Sequence, residues 1–178
     1  MTRWLSKLFK KNVHNNQKPV DKQIVANKVS NETKDDVSKA NVEQWVETQK
    51  VSGIPLYDLW RQLLEKSSQA DELELKKAYT EAANKLEDIL VLRNINGKEY
   101  EKDGEDNKAI ELYEANIKDN FDGSHPYERL RVIYTKMQKH EDVIRICEAY
   151  ILNGQHDPQL KTKYQKIIFE LKGKIGDT

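Results

Sequence analysis

Ala109-Ile-Glu-Leu-Tyr-Glu-Ala-Asn-Ile117 and Val143-Ile-Arg-Ile-Cys-Glu-Ala-Tyr-Ile151 stand 34 residues apart, with no gap between their registers. Ile110/Ile144, Glu114/Glu148, Ala115/Ala149 and Ile117/Ile151 are identical. Ala109/Val143, Leu112/Ile146 and Tyr113/Cys147 are apolar in both copies. Apolar residues recurring three and four positions apart put one oily stripe on a helix. One amphipathic helix appearing twice at a fixed interval predicts an all-α chain built from like units.

Outward from this pair, the same spacing predicts more helices. Leu56, Leu59, Trp60, Leu63 and Leu64 mark one, with Pro55 at its start. Leu75, Ala78, Ala82, Leu86, Ile89 and Leu90 mark a longer one. Tyr127, Leu130, Ile133, Tyr134 and Met137 lie between the two copies, and Leu160, Tyr164, Ile167, Ile168 and Leu171 mark a last helix. Asp122-Gly123-Ser124-His125-Pro126 reads as a stop followed by a start, with Ser124 as N-cap. Asn153-Gly154 ends the second copy, and Asp157-Pro158 offers a cap and a first-turn proline. Arg93 to Asp106 reads as a long loop, with Asn96-Gly97 a tight turn inside it.

Tyr127-x2-Leu130-Arg131-x2-Tyr134, followed eight residues later by Val143-x3-Cys147, resembles the tetratricopeptide repeat family, whose units are helix pairs of 34 residues. The family pattern is Trp-x2-Leu-Gly-x2-Tyr, then Ala-x3-Phe, and Ala109-x3-Tyr113 matches the second part. One period on, Tyr164 takes the place of Leu130 and Ile168 that of Tyr134, as in a terminal half-repeat. Arg131 stands where the family has a small residue, and no motif aligns upstream of residue 109. The resemblance, specific over residues 107–170, implies a helical-hairpin solenoid with a terminal capping helix. It also implies a non-enzymatic scaffold or adaptor that binds a protein or peptide in a groove. Carried over residue by residue, the groove positions are His125, Arg129, Val132 and Lys136, then Lys163 and Lys166 one period later. Those cations would suit an acidic peptide or a terminal carboxylate.

The domain limits follow from composition. Residues 54–174 hold the periodic segments and form the helical domain. Residues 14–53 are polar, with single Val and Ile among Lys, Asn, Asp, Ser and Thr. They read as a largely disordered linker that buries too little to offset about 1–2 kcal/mol of backbone entropy per residue, with at most a weak helix around Val42–Val46 and Trp45 docking on the fold. Residues 1–13 place Trp4, Leu5, Leu8 and Phe9 opposite Arg3, Lys7, Lys10 and Lys11 on a helical wheel, the pattern of an interfacial helix. The alternative reading is therefore a peripheral, membrane-tethered adaptor making weak contact with an anionic surface.

The totals exclude several classes. Thirty basic residues balance thirty acidic ones, which argues against specific nucleic-acid binding. No apolar run reaches the roughly 18 residues of a spanning helix, and no export signal is visible. A single cysteine, Cys147, excludes a disulfide framework and points to a reducing, cytoplasmic setting. Lys exceeds Arg 24 to 6, a bias associated with AT-rich bacterial or phage genomes. No catalytic, metal or cofactor motif emerges. His14, His125, His140 and His156 lack ligand spacing, Lys102–Asp106 lacks that of a calcium loop, and Cys147 falls on a predicted buried face.

Overall fold

In the computed structural model the described residues are 38–154 and 157–176, and all regular secondary structure among them is α-helical. The expectations for residues 1–13 and 14–37 lie outside the described residues. Helix α1 covers 38–51, α2 Leu56–Gln69, α3 Leu73–Lys102 and α4 Asp106–Lys118. Helix α5 covers Ser124–Lys136, α6 His140–Asn153 and α7 Pro158–Gly176. From α2 onward each helix packs on the next.

Two sequence expectations are corrected. The linker does not extend to residue 53, because 38–51 is helical and Val42 and Val46 are buried. Two valines four apart form a stripe too narrow to stand alone. It suffices because it packs against Leu59 and Leu63 of α2 and the alanines of α3. Trp45 packs against the same cluster, with the Lys66 ammonium 4.8 Å from its ring centroid. The loop from Arg93 to Asp106 is also mostly helix, since α3 runs without a break to Lys102. Gly97 is no turn residue. It is buried mid-helix, and a Cβ there would lie 2.6 Å from Tyr113 Cε1. The missing side chain lets α4 approach α3, at a helix-propensity cost of about 1 kcal/mol relative to alanine.

With α3 extended, the 34-residue repeat reaches further upstream than the sequence reading took it. Gly104 and Gln138 both have positive φ, +76° and +59°. Glu105 N donates to Tyr100 O at 2.8 Å, and Lys139 N to Tyr134 O at 2.9 Å. Asp103 N to Glu99 O and Met137 N to Ile133 O are both 3.0 Å. Every member of one set lies 34 residues from its counterpart, so α3–α4 and α5–α6 are joined by the same turn. Ala109/Val143 and Tyr113/Cys147 are buried in both copies, and Tyr164 of α7 is as fully buried as Leu130 of α5.

The helix ends differ in detail from expectation. Ser124 is the first residue of α5 rather than its cap, and Gly123 precedes it without a side-chain bond. Asp157 does cap α7, its Oδ1 accepting from Gln159 N at 2.9 Å and Leu160 N at 3.0 Å. Gly154 follows α6 where a Cβ would collide with the Tyr150 ring.

The interior falls into two apolar clusters. One joins α1, α2 and the first half of α3 through Val42, Val46, Leu59, Leu63, Ala78, Ala82, Ala83 and Leu86. The other joins α4 to α7 and is rich in tyrosine. In it, the rings of Tyr127, Tyr150 and Tyr164 meet edge to face at 5.2 and 5.0 Å, linking α5, α6 and α7. Each fully buried leucine contributes about 1.5–3 kcal/mol.

The Gly97 contact makes a testable demand. Gly97→Ala forces the Tyr113 ring aside and should destabilise the fold, because overpacking costs about 1–3 kcal/mol against a propensity gain of about 1 kcal/mol. Gly173→Ala, with nothing within 4 Å of the added Cβ, should raise stability slightly. Urea midpoints of the two variants check the opposite signs.

Candidate functional site

All six predicted groove residues lie on α5 and α7. His125 sits in the first turn of α5, its ring edge-to-face with Tyr113 at 5.7 Å. Val132 is half-buried, while Lys136, Lys163 and Lys166 are exposed. Extension of α3 adds four positions that the sequence reading missed. Val91, Ile95, Lys98 and Lys102 precede His125, Arg129, Val132 and Lys136 by 34 residues each. Val91 is 40% exposed and Ile95 51%, so α3 presents aliphatic surface at these positions. The signal was available: Gly97-x2-Tyr100 stands 34 residues before Arg131-x2-Tyr134, but the Asn-Gly pair read as a turn hid it.

Two of the predicted cations are already engaged. Arg129 Nε donates to both carboxylate oxygens of Glu101 on α3, at 2.9 and 3.0 Å, and Arg129 Nη2 donates to one of them as well. The Tyr113 hydroxyl adds a third donor group at 2.7 Å. Lys163 Nζ donates to Glu128 Oε1 on α5 at 2.9 Å, and Arg131 holds the other oxygen of that carboxylate. An acid on one helix thus meets a base on the next, from α3 to α5 and from α5 to α7. The duplicated glutamates repeat the scheme on the other helices. Glu114 receives Arg145 of α6 and the Tyr134 hydroxyl, and Glu148 receives Lys172 of α7.

The remaining cations are freer. Lys98 and Lys136 have no carboxylate partner among the described residues, and Lys166 reaches only Glu170, at 3.8 Å on the exposed side of its own helix. Such a pair holds its charge weakly. Val91, Ile95 and Lys98 of α3, Lys136 of α5 and Lys166 of α7 are thus all exposed.

Other features carry less chemistry. A cleft of about 330 Å³ between α1 and α3 has Val46, Ala82, Leu86 and Ile89 in its wall, and its charged rim is mutually paired as Glu43–Lys85 and Glu47–Lys50. Burial pushes the Cys147 thiol up to about 11, the state of a core residue rather than a nucleophile. Among the described residues no group of three or more His, Cys, Asp or Glu is arranged to hold a metal. No described helix is long and apolar enough to cross a membrane. Comparison with known proteins returns no family model, no curated protein and no solved structure that matches the chain significantly.

The cluster around Arg129 fixes a pH dependence. Partial burial holds His125 below the ordinary imidazole value, Arg129 and Lys98 push the same way, and Glu101 opposes them. The unfolded chain thus takes up the proton first, and stability falls once the pH drops below about 6.5. Burial works to raise Glu101 and Glu128, but their hydrogen bonds and cations prevail and hold both below the usual carboxylate value. Their contribution is complete above about pH 4.3 and is lost as the pH falls through the lower folded values. Urea midpoints between pH 7.5 and 3 should decline in these two stages, and His125→Gln should remove the upper stage while leaving the lower.

Proposed function

We propose that this chain is a non-enzymatic, tetratricopeptide-like binding module that captures an acidic segment of a partner protein along α3, α5 and α7. The observation that supports the reading is the repeated turn at Gly104 and Gln138, which joins α3 to α4 and α5 to α6 in the same way. On this reading exposed Val91 and Ile95 of α3 share the binding face with exposed Lys98, Lys136 and Lys166. An acidic partner with an aliphatic anchor complements such a face, the charges setting encounter and the anchor burial. Arg129 and Lys163 serve this role only indirectly. Their charges are spent on Glu101 and Glu128, and they hold the helices that display the free lysines.

Fluorescence anisotropy tests the proposal with a labelled peptide of glutamates around a single leucine, set against its glutamine counterpart. The acidic peptide should bind at low salt and the neutral one at least tenfold more weakly. Lys136→Glu with Lys166→Glu should cost a further tenfold without shifting the melting temperature by more than about 2 °C. Equal binding of both peptides, or indifference to the charge reversal, overturns the assignment.

A further inference from the structure

Helix α6 covers one side of α5. The Tyr150 ring meets Tyr127 edge to face at 5.2 Å, the Arg131 charge bears on the Cys147 thiol, and Tyr134 feels Asp142 and Arg145. Tyr127, Arg131 and Tyr134 stand four and three residues apart, so they form one strip of α5. Both tyrosines are buried there, and the Arg131 side chain is only 19% exposed. Their counterparts one period later are Lys161, Gln165 and Ile168 of α7.

The strip on α7 is more open. Gln165 is exposed, and Lys161 and Ile168 are half-buried. Among the described residues α7 is the last helix, so no described helix follows it as α6 follows α5. Phe169 borders the strip and is 81% exposed, as is Leu152 of α6. The Tyr150–Tyr164 and Glu148–Lys172 contacts show that α6 and α7 run antiparallel. Leu152 lies one turn from Glu148 and Phe169 one turn from Lys172, both toward the connection between the helices. The two exposed apolar side chains therefore lie on the same side of one ion pair.

Charge selects the occupant. Helix α7 carries five lysines and one glutamate. Lys161 has no carboxylate partner among the described residues, and Lys172 shares Glu148 at an exposed site. Lys161 and Lys172 are eleven residues apart, about 16 Å along the helix, with Gln165, Ile168 and Phe169 between them. Symmetric pairing of two copies through α7 would set like charges against each other. A helix with an apolar stripe between carboxylates matches the strip in both respects.

We propose that the open side of α7 docks an acidic amphipathic helix of a partner protein, which takes the place on α7 that α6 takes on α5. Ile168, Phe169 and Leu152 receive its apolar stripe, and Lys161 and Lys172 its carboxylates. The strip shares no residue with the face proposed above for an acidic segment, and it does not depend on that reading.

Calorimetric titration of the full chain tests the strip. The probe is a 20-residue peptide with leucines at three- and four-residue spacing and glutamates on both flanks, set against a scrambled peptide of the same composition. The patterned peptide should bind at least tenfold more tightly than the scrambled one. Phe169→Ala and Lys161→Glu should each weaken it tenfold or more while leaving the melting temperature within about 2 °C, as expected of surface changes. The short peptide of glutamates around one leucine, which probes the other face, should be indifferent to Phe169→Ala, so the two readings fail separately. No binding of the patterned peptide, equal binding of the scrambled one, or an affinity that either variant leaves unchanged overturns the proposal. Sedimentation of the unmodified chain adds one more outcome: a dimer that Phe169→Ala dissociates makes a second copy the occupant and also overturns it.

Discussion

The ring of Tyr113 occupies the space that a side chain at position 97 would need, and the rest of the arrangement depends on that contact. Because Gly97 has no Cβ, α4 lies close along the second half of α3, and α3 can stay helical instead of breaking at Asn96. A continuous α3 then belongs to both halves of the molecule. Its first half carries the alanines that receive α1 and α2, and its second half begins the series continued by α5 and α7. A glycine that is poor for helix formation in isolation is retained where tertiary contact needs bare backbone.

Between neighbouring first helices the charges do structural work. Glu101 with Arg129 and Glu128 with Lys163 tie α3 to α5 and α5 to α7. Glu101 is only 10% exposed at its side chain, so its charge depends on the bidentate arginine and the Tyr113 hydroxyl. This division of labour separates the cations on the face into two kinds. Those with long-range carboxylate partners tie one helix to another, and the rest have no such partner among the described residues. Counting basic residues along the sequence cannot make that distinction, since it turns on which acid from a distant helix arrives nearby.

Several errors of the sequence reading share one cause. Asn96-Gly97 looks like a turn because glycine and asparagine are turn residues in most surroundings, yet here the surroundings are a tyrosine ring from the next helix. Within residues 38–51 the narrow apolar stripe shows only a weak helix around Val42–Val46, yet Val42 and Val46 gain a complete environment from α2 and α3 and the helix spans the whole segment. The cap of α2 is invisible locally because it comes from Asp119. In each case a partner distant in sequence supplies what the local pattern lacks.

The sequence by itself determined the helical character of residues 54–92 and 107–174, the 34-residue spacing of Ala109–Ile117 and Val143–Ile151, the burial of Cys147 and the Asp157 cap of α7. These are written in periodicity and in contacts between residues a few positions apart, which any helix of that composition would share. Only the tertiary structure decided that α3 runs on to Lys102, that α1 joins the core, and that Arg129 and Lys163 are paired while Lys98 and Lys136 have no carboxylate partner among the described residues. Those outcomes depend on which side chains meet across helices, and that is settled by close approach and by the pairing of charges once the helices have docked.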